Sequence, residues 1–188
     1  MTSQEQIEKL SQEIFEKKMV LSKLRRDLAA EPVQDYALKD WRGETVWLSS
    51  LFGDKSDLLV IHNMGKGCTY CTMWADGFVS VLPHIENRAA FVVVSPDLPE
   101  VQKDFAENRG WTFKMVSAKD SDFSQDMGFA DGKRLMPGVS AFHKAEDGKL
   151  YRTNKDVFGP GDDYSAPWHL FDLLKGGRKD WSPRYSYE

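Results

Sequence analysis

Two short, uninterrupted apolar runs most constrain how this chain can fold. Residues 57–63 read DLLVIHN and residues 90–95 read AFVVVS. Runs of this length without polar alternation are typical of strands that are buried on both faces of a sheet. We interpret the segment between them, from about Cys68 to His84, as a helix. Because a strand–helix–strand unit makes its two strands parallel, the sequence predicts a parallel core with helices packed against the sheet.

The remaining segments add antiparallel strands and further helices around this core. We predict a hairpin in residues 36–48, helices over 96–110, 121–128 and 165–176, a third core strand over 113–117, and a second hairpin from 137–144 and 149–153. The fold class that follows is α/β, with one mixed sheet covered by helices on both faces.

The first segment of the chain has the pattern of one long helix. Its apolar residues recur three or four positions apart and are interrupted once, by Lys17. They are Ile7, Leu10, Ile14, Leu21, Leu24 and Leu28. Thr2 or Ser3 can cap this helix, and Pro32 closes it. We divide the chain into a helical arm, residues 1–31, and a domain, residues 32–188. Two interpretations of the arm stay open: it packs on its own domain, or it forms a homodimer.

Composition narrows the classes of partner. The net charge is −4 and the pI is near 5.6, whereas nucleic-acid-binding surfaces are normally basic. No apolar run approaches the roughly 20 residues of a membrane span, and the polar N-terminus has no signal-peptide core. We therefore expect a cytoplasmic protein that binds neither nucleic acid nor membrane.

The only two cysteines, Cys68 and Cys71, lie where the first buried strand gives way to its helix. In such sheets, reactive groups collect at the carboxyl ends of strands. The first backbone N–H groups of a helix have no partner within it, and the helix dipole favours negative charge there. A thiolate at Cys68 gains from both. In the reducing cytoplasm, neighbouring cysteines are more often catalytic or metal-binding than structural.

The free energies indicate what such a site requires. An ordinary thiol has a pKa near 8.5, so only a few per cent is ionised at about pH 7. Lowering that pKa to about 7 takes about 2 kcal/mol, and the helix dipole usually supplies about 0.3–1 kcal/mol. We therefore expect hydrogen bonds from the Cys71 thiol and from backbone N–H groups to supply the rest.

Other kinds of site fit the sequence less well. A structural zinc site uses four nitrogen or sulfur ligands, and the chain has a single CxxC motif. Its histidines are dispersed, at His62, His84, His143 and His169. A zinc or copper site made from the dithiol and a histidine remains an alternative. The glycines in MGKG, residues 64–67, lack the full phosphate-loop pattern and are better explained by a tight turn.

Four segments also carry a resemblance to a known family. They are VIHNMGKGCTYCTMWADGF, RAAFVVVSPDLP, GWTFKMVSAKDSDFSQDMG and PGVSAF. In this order they resemble a bacterial family of uncharacterised thioredoxin-like proteins, a domain of unknown function whose members are predicted to be dithiol–disulfide oxidoreductases. The likeness extends over residues 21–176. It implies a thioredoxin-like three-layer sandwich with a mixed sheet, an N-terminal hairpin and a long N-terminal helix.

The resemblance also implies roles for individual residues. Cys68 and Cys71 match the active-site pair of the family. Pro137 matches the proline that thioredoxin-like folds hold in cis beside the dithiol, where it would expose the backbone of Met136 to an extended substrate.

Three further residues near the dithiol receive roles from the same resemblance. Tyr70 and Trp74 would line the substrate surface, although Trp74 could equally be a core side chain. His62 lies six residues before Cys68, where thioredoxins carry a buried acid that assists proton transfer. A histidine can transfer protons, but it can also simply fill a core.

These expectations combine into a functional hypothesis. The protein would be a thiol–disulfide oxidoreductase without a cofactor, in which Cys68 attacks a disulfide-containing protein or small molecule and Cys71 releases the product. A thioredoxin- or glutathione-type system would return the electrons. The alternatives are a metal-binding module, a non-catalytic dimerisation module and a peroxiredoxin-like peroxidase. The peroxiredoxin-like alternative meets one difference: three residues before Cys68, where peroxiredoxins have a Thr or Ser that bonds the peroxide, this chain has Gly65.

Overall fold

The computed structural model describes residues 1–187. Five helices occur in that range: α1 (Ser3–Asp27), α2 (Thr69–Arg88), α3 (Pro99–Arg109), α4 (Phe123–Asp126) and α5 (Ala166–Asp172). The strands are β1 (Glu31–Val33), β2 (Ala37–Lys39), β3 (Thr45–Trp47), β4 (Asp57–His62), β5 (Ala90–Ser95), β6 (Lys114–Ser117), β7 (Ala130–Asp131), β8 (Arg134–Leu135), β9 (Gly138–Lys144) and β10 (Leu150–Val157).

Eight of these strands form one mixed sheet. Their order across the sheet is β1-β10-β9-β4-β5-β6-β2-β3, while β7 and β8 form a separate pair. Strands β4, β5 and β6 run parallel, as the two apolar runs predicted. The predicted hairpins are also present, as β2–β3 and β9–β10. The α/β fold class with a mixed sheet is therefore confirmed.

The central strand β4 contributes side chains to both faces of the sheet, as its continuous apolar sequence indicated. Leu58 and Val60 pack in one core cluster, with α4 and the 3₁₀ turn Leu48–Phe52. Ile61 packs in the other cluster, with α2 and α3. Because side chains alternate along a strand, these two clusters lie on opposite faces of the sheet.

The face that carries α2 is not fully covered. An apolar groove of about 310 Å³ opens over β4 and β9, with Leu59, Ile61, Val139 and Ala141 in its floor. No residue of α5 lines it. The predicted last helix, 165–176, is shorter in the structure and ends at Asp172. The helical layer on this face therefore stops short of the outer strands.

The long N-terminal helix is present and begins with the predicted capping box between Thr2 and Glu5. It ends at Asp27, before Pro32, which instead lies in β1 and pairs with β10. The large apolar side chains of α1 are all exposed. The apolar face of α1 therefore does not pack on its own domain, although polar groups in the C-terminal half of the helix contact that domain. None of the helices in residues 1–187 is both long enough and apolar enough to cross a bilayer.

Candidate functional site

The loop between β4 and α2 is held rigidly by side chains on both sides. The Gly65 N–H donates to Asn63 Oδ1 (2.8 Å), and the Lys66 N–H donates to Asp97 Oδ2 (2.8 Å). Gly65 has a φ of 99°, and a Cβ there would lie 2.9 Å from Asp97 Oδ2. A glycine is therefore required at this position. Asp97 follows the carboxyl end of β5, a place that sequence reasoning could have searched.

This loop delivers Cys68 to the N-cap of α2, as the sequence predicted. The Cys71 N–H donates to Cys68 Sγ at 3.1 Å, so the sulfur occupies the position of a helix-capping acceptor. The Cys68 side chain is partly exposed, and both cysteines are free thiols. The thiolate would thus be stabilised by backbone donors while remaining accessible to a substrate.

The surroundings of Cys68 favour its ionised form. A hydrogen bond from the Cys71 thiol lowers the pKa of Cys68 to about 7, with help from the backbone N–H groups of Cys71 and Tyr70 and against the effect of burial. Hydrogen bonds of this kind were expected from the sequence, because the helix dipole alone is too weak. A substantial fraction of Cys68 is therefore thiolate at neutral pH.

Cys71 has the opposite environment. It is 2% exposed, and its Sγ accepts a hydrogen bond from the Met64 N–H at 3.4 Å. Its hydrogen bond to Cys68, together with burial, raises the pKa of the Cys71 thiol far above its ordinary value. The pair thus consists of one accessible, acidic thiol and one enclosed, protonated thiol.

Aromatic side chains surround the helix side of the dithiol. The Tyr70 ring lies between Trp74 and Trp168, with centroid distances of 6.2 and 6.1 Å. Tyr70 is partly exposed, so it can contact a substrate. Trp74 is buried and packs against Phe158, which makes it a core side chain rather than part of the surface. Trp168 was missed at the sequence level, because nothing in the sequence brings α5 to this place.

The segment before β9 lies beside the dithiol loop, but its backbone differs from the expectation. Gly138 pairs with His62 at the end of β4, which places Pro137 at the same edge of the sheet as the loop. No cis peptide bond occurs within residues 1–187, so the expected cis conformation of Pro137 is not found. The Met136 N–H is already bonded to the Phe129 carbonyl (2.9 Å), so this donor is not available to an extended substrate.

His62 lies in the core on the face of the sheet opposite to Cys71. Its ring stacks on Phe129, with centroids 3.9 Å apart, and its Nε2 is 2.9 Å from Ser140 Oγ. Burial lowers the pKa of His62 to about 3. The ring is therefore neutral at physiological pH and packs as a core histidine, which gives no support to the expected role in proton transfer.

The dispersed histidines do not gather around the dithiol. His143 lies at the other end of β4, where its Nδ1 is 2.8 Å from Asp57. His169 lies next to Asp162 and Asp163. Within residues 1–187 there is no cluster of three or more His, Cys, Asp or Glu side chains that could hold a metal ion. The metal-binding alternative therefore has no ligand set in the described part of the chain.

Comparisons with known proteins give one family and a set of structural neighbours. The model of a family described as "Bacterial protein of unknown function (DUF899)" matches residues 4–187. No curated protein matches the sequence.

Three of the similar solved structures carry peroxiredoxin names. Peroxidoxin BcpB from Mycobacterium tuberculosis is 24% identical, with a TM-score of 0.57 over 74% of this chain and 90% of that one. Reduced Prx3 in complex with H2O2, from Vibrio vulnificus, is 14% identical, with a TM-score of 0.59 over 78% and 99%. A peroxiredoxin-like protein from Aquifex aeolicus is 16% identical, with a TM-score of 0.54 over 68% and 74%. These likenesses confirm the thioredoxin-like fold, but a fold does not by itself define an activity.

Proposed function

The chain belongs to the DUF899 family of bacterial proteins, and we propose that it is a thiol–disulfide oxidoreductase in which Cys68 is the nucleophile and Cys71 the resolving thiol. One observation carries this proposal. Cys68 Sγ is partly exposed at the N-cap of α2, where it accepts from the Cys71 N–H at 3.1 Å, whereas Cys71 is buried. The interaction between the two cysteines lowers the pKa of Cys68 and raises that of Cys71. Nucleophilic attack requires a thiolate that a substrate can reach.

The reaction follows from this division. The Cys68 thiolate attacks one sulfur of a substrate disulfide, which forms a mixed disulfide and releases the other substrate sulfur as a thiolate. Cys71 then loses its proton and attacks Cys68 Sγ, which releases the second substrate thiolate. The enzyme is left with a Cys68–Cys71 disulfide, and two electrons have passed to the substrate.

The interaction between Cys68 and Cys71 also controls the order of the two steps, attack by Cys68 and then release by Cys71. The hydrogen bond with Cys68 and its negative charge help to raise the pKa of Cys71. Formation of the mixed disulfide removes that charge, so the Cys71 proton becomes easier to lose at the moment when the thiolate is needed. The partners of the cycle would be a disulfide-containing protein or small molecule and a cytoplasmic reductant of the thioredoxin or glutathione type.

The test follows the two thiols separately. The wild-type protein is equilibrated in glutathione buffers of stepped potential, and the Cys68–Cys71 disulfide is quantified by mass spectrometry after alkylation. We expect a two-electron transition. Cys71→Ser should accumulate a mixed disulfide with bis(2-hydroxyethyl) disulfide, whereas the matched Cys68→Ser variant should not. Absence of the transition, or equal trapping by both variants, contradicts the proposal.

A peroxidase activity is the second candidate, since the neighbouring structures have peroxiredoxin names and one contains H2O2. The attacking group would again be Cys68, with a peroxide in place of the disulfide. The residue three before Cys68 is Gly65, which brings no hydroxyl to the site. Arg134, whose guanidinium could polarise a peroxide, is exposed on β8.

The two candidates can be separated by rate. Reduced Cys71→Ser protein is mixed in parallel with H2O2 and with the small disulfide, and the Cys68 sulfenate is captured with dimedone while the mixed disulfide is measured by mass. We expect faster reaction with the disulfide. Faster sulfenate formation at equal reagent concentration would favour the peroxidase.

A further inference from the structure

Helix α1 carries a long apolar strip that its own domain does not cover. The strip consists of Ile7, Leu10, Ile14, Leu21, Leu24 and Leu28, which are between 46% and 61% exposed. A single helix with an uncovered apolar face is marginally stable in water, because helices gain most of their stability from packing that face. The strip therefore needs a partner outside the described chain.

The spacing of the strip indicates what kind of partner fits. Its steps are alternately three and four residues, with Lys17 in the one polar position. A strict 3.5-residue period is the pattern of a helix that pairs with another helix along a seam, rather than of a helix that lies on a sheet. A single polar residue within such a seam commonly specifies register.

The acidic and basic side chains of α1 are concentrated in different halves of the helix. Residues 3–16 contain four glutamates and one lysine, whereas residues 17–27 contain five basic side chains and one aspartate. The helix dipole favours this distribution only in the first and last turns, but here it extends over the whole helix. Two copies of α1 side by side would repel in the parallel orientation and attract in the antiparallel one.

The helix is also held in a position where a second copy can reach it. Lys18 contacts Asp163 at 2.7 Å, Arg25 pairs with Asp156, and the Arg25 carbonyl accepts from Asn154 Nδ2 at 2.8 Å. The C-terminal half of α1 is therefore fixed beside the apolar groove, whose rim includes Arg25. The side-chain bonds of the N-terminal half are local, such as Gln4 to Glu8 and Gln12 to Glu16.

From these observations we propose that the protein is a homodimer in which α1 packs antiparallel against α1 of a second copy. In this two-fold arrangement, Ile7 of one helix faces Leu24 of the other, and Leu10 faces Leu21. Most apolar layers are then paired, and the acidic half of each helix lies against the basic half of its partner. The N-terminal half of the partner helix then runs along the rim of the groove. A 25-residue helix is about 37 Å long, which is enough for an interface of roughly 800 Å² per partner.

The first experiment measures mass in solution on the full chain, by sedimentation and by size exclusion with light scattering. We expect a dimer for the wild type. Leu21→Asp places a charge in the seam and should weaken dimerisation at least about tenfold. Met19→Asp is the matched control, because Met19 is also exposed and lies two residues from Leu21, on the opposite side of α1; it should leave the dimer intact. A monomeric wild type, or equal effects of both variants, overturns the proposal.

The second experiment determines orientation. Leu10→Cys and Leu21→Cys are made separately in a Cys68→Ser, Cys71→Ser background, so that the introduced thiols are the only ones. An antiparallel pair should form a disulfide when the two variants are mixed and oxidised, and little with either variant alone. Cross-linking of each variant with itself, but not with the other, shows a parallel pair and overturns the antiparallel assignment. Neither result depends on redox activity at Cys68.

Discussion

Cys68 and Cys71 are three residues apart, yet their thiols have opposite environments. The N-cap position gives Cys68 access to solvent and to the Cys71 N–H, while the next turn of the helix carries Cys71 into the core beside Trp74 and Ala75. A thiol that caps a helix is therefore ionised more readily than a thiol one turn further on. In the proposed reaction, this difference assigns the attack to Cys68 and the resolving step to Cys71.

The first prediction concerns the pH dependence of Cys68. Its alkylation rate should rise with pH through a midpoint near the pKa of about 7, because only the thiolate reacts. Cys71→Ala removes the strongest donor to Cys68 and should move the midpoint upward, whereas Cys71→Ser keeps a hydroxyl donor and should move it less. Rates of iodoacetamide labelling over a pH series would measure this. Identical midpoints in all three proteins would show that the Cys71 thiol does not control Cys68.

The second prediction concerns Gly138, which pairs with His62. A Cβ at Gly138 would lie well inside contact distance of the Asp156 carbonyl and the Phe129 ring. Gly138→Ala should therefore lower the free energy of unfolding by about 1–3 kcal/mol, as measured by urea denaturation. Gly159→Ala is the control, since a Cβ there would meet open space among the described residues. Equal stability of the two variants would contradict the crowding around Gly138.

Sequence reasoning reached some of the site and not the rest, for physical reasons. The cysteines could be placed because helix ends and strand ends are local features of the sequence. The roles expected for Trp74, Met136 and His62 depended on which way each side chain or backbone group points. Those directions are fixed by contacts with Phe158, Phe129 and Ser140, which are distant in sequence and therefore not readable from it.

At the scale of elements, α2 follows the β4–α2 loop and packs on the sheet. It runs from Thr69 to Arg88 and continues through Pro83. Its start was predicted correctly, but its end lies four residues beyond the predicted one, since apolar contacts such as that of Ile85 with the core continue past the proline. Helix α5 is shorter than predicted, because the apolar side chains that follow Trp168, such as Leu170 and Leu173, are exposed and do not pack on the core. Packing, rather than local propensity, sets both helix ends.

The third prediction concerns Gly77, in the interior of α2. An added Cβ there would meet no atom of residues 1–187 within 4 Å, and alanine has a higher helix propensity than glycine. Gly77→Ala should therefore raise the free energy of unfolding by about 0.5–1 kcal/mol. Thermal and denaturant unfolding would measure it. Gly65→Ala is the comparison and should be destabilising, because its backbone has a positive φ and faces Asp97. A lower free energy of unfolding for Gly77→Ala would contradict the open space around Gly77.

At the scale of the whole molecule, the candidate site and the proposed dimer contact lie on different elements. The dithiol is at the start of α2, and the apolar strip is on α1, which is anchored near Asp156 and Asp163. A charge at Leu21 should therefore change the mass of the protein in solution without changing the reactivity of Cys68. The sequence could predict both features as local patterns, but only the structure shows that α1 leaves its apolar strip uncovered.

The attachment of α1 and β1 to β10 has a practical consequence for producing shortened forms. β1 pairs with the backbone of residues 150–152, and Arg25 near the end of α1 contacts the side chains of Asn154 and Asp156, so together they cover part of the outer edge of β10. An unshielded strand of eight residues recruits strands from other molecules and promotes aggregation. A chain that starts at residue 29 keeps β1 and should stay largely dispersed, whereas a chain that starts at residue 35 should aggregate. Turbidity and the soluble yield on expression would distinguish the two, and equal yields would show that β10 needs no cover.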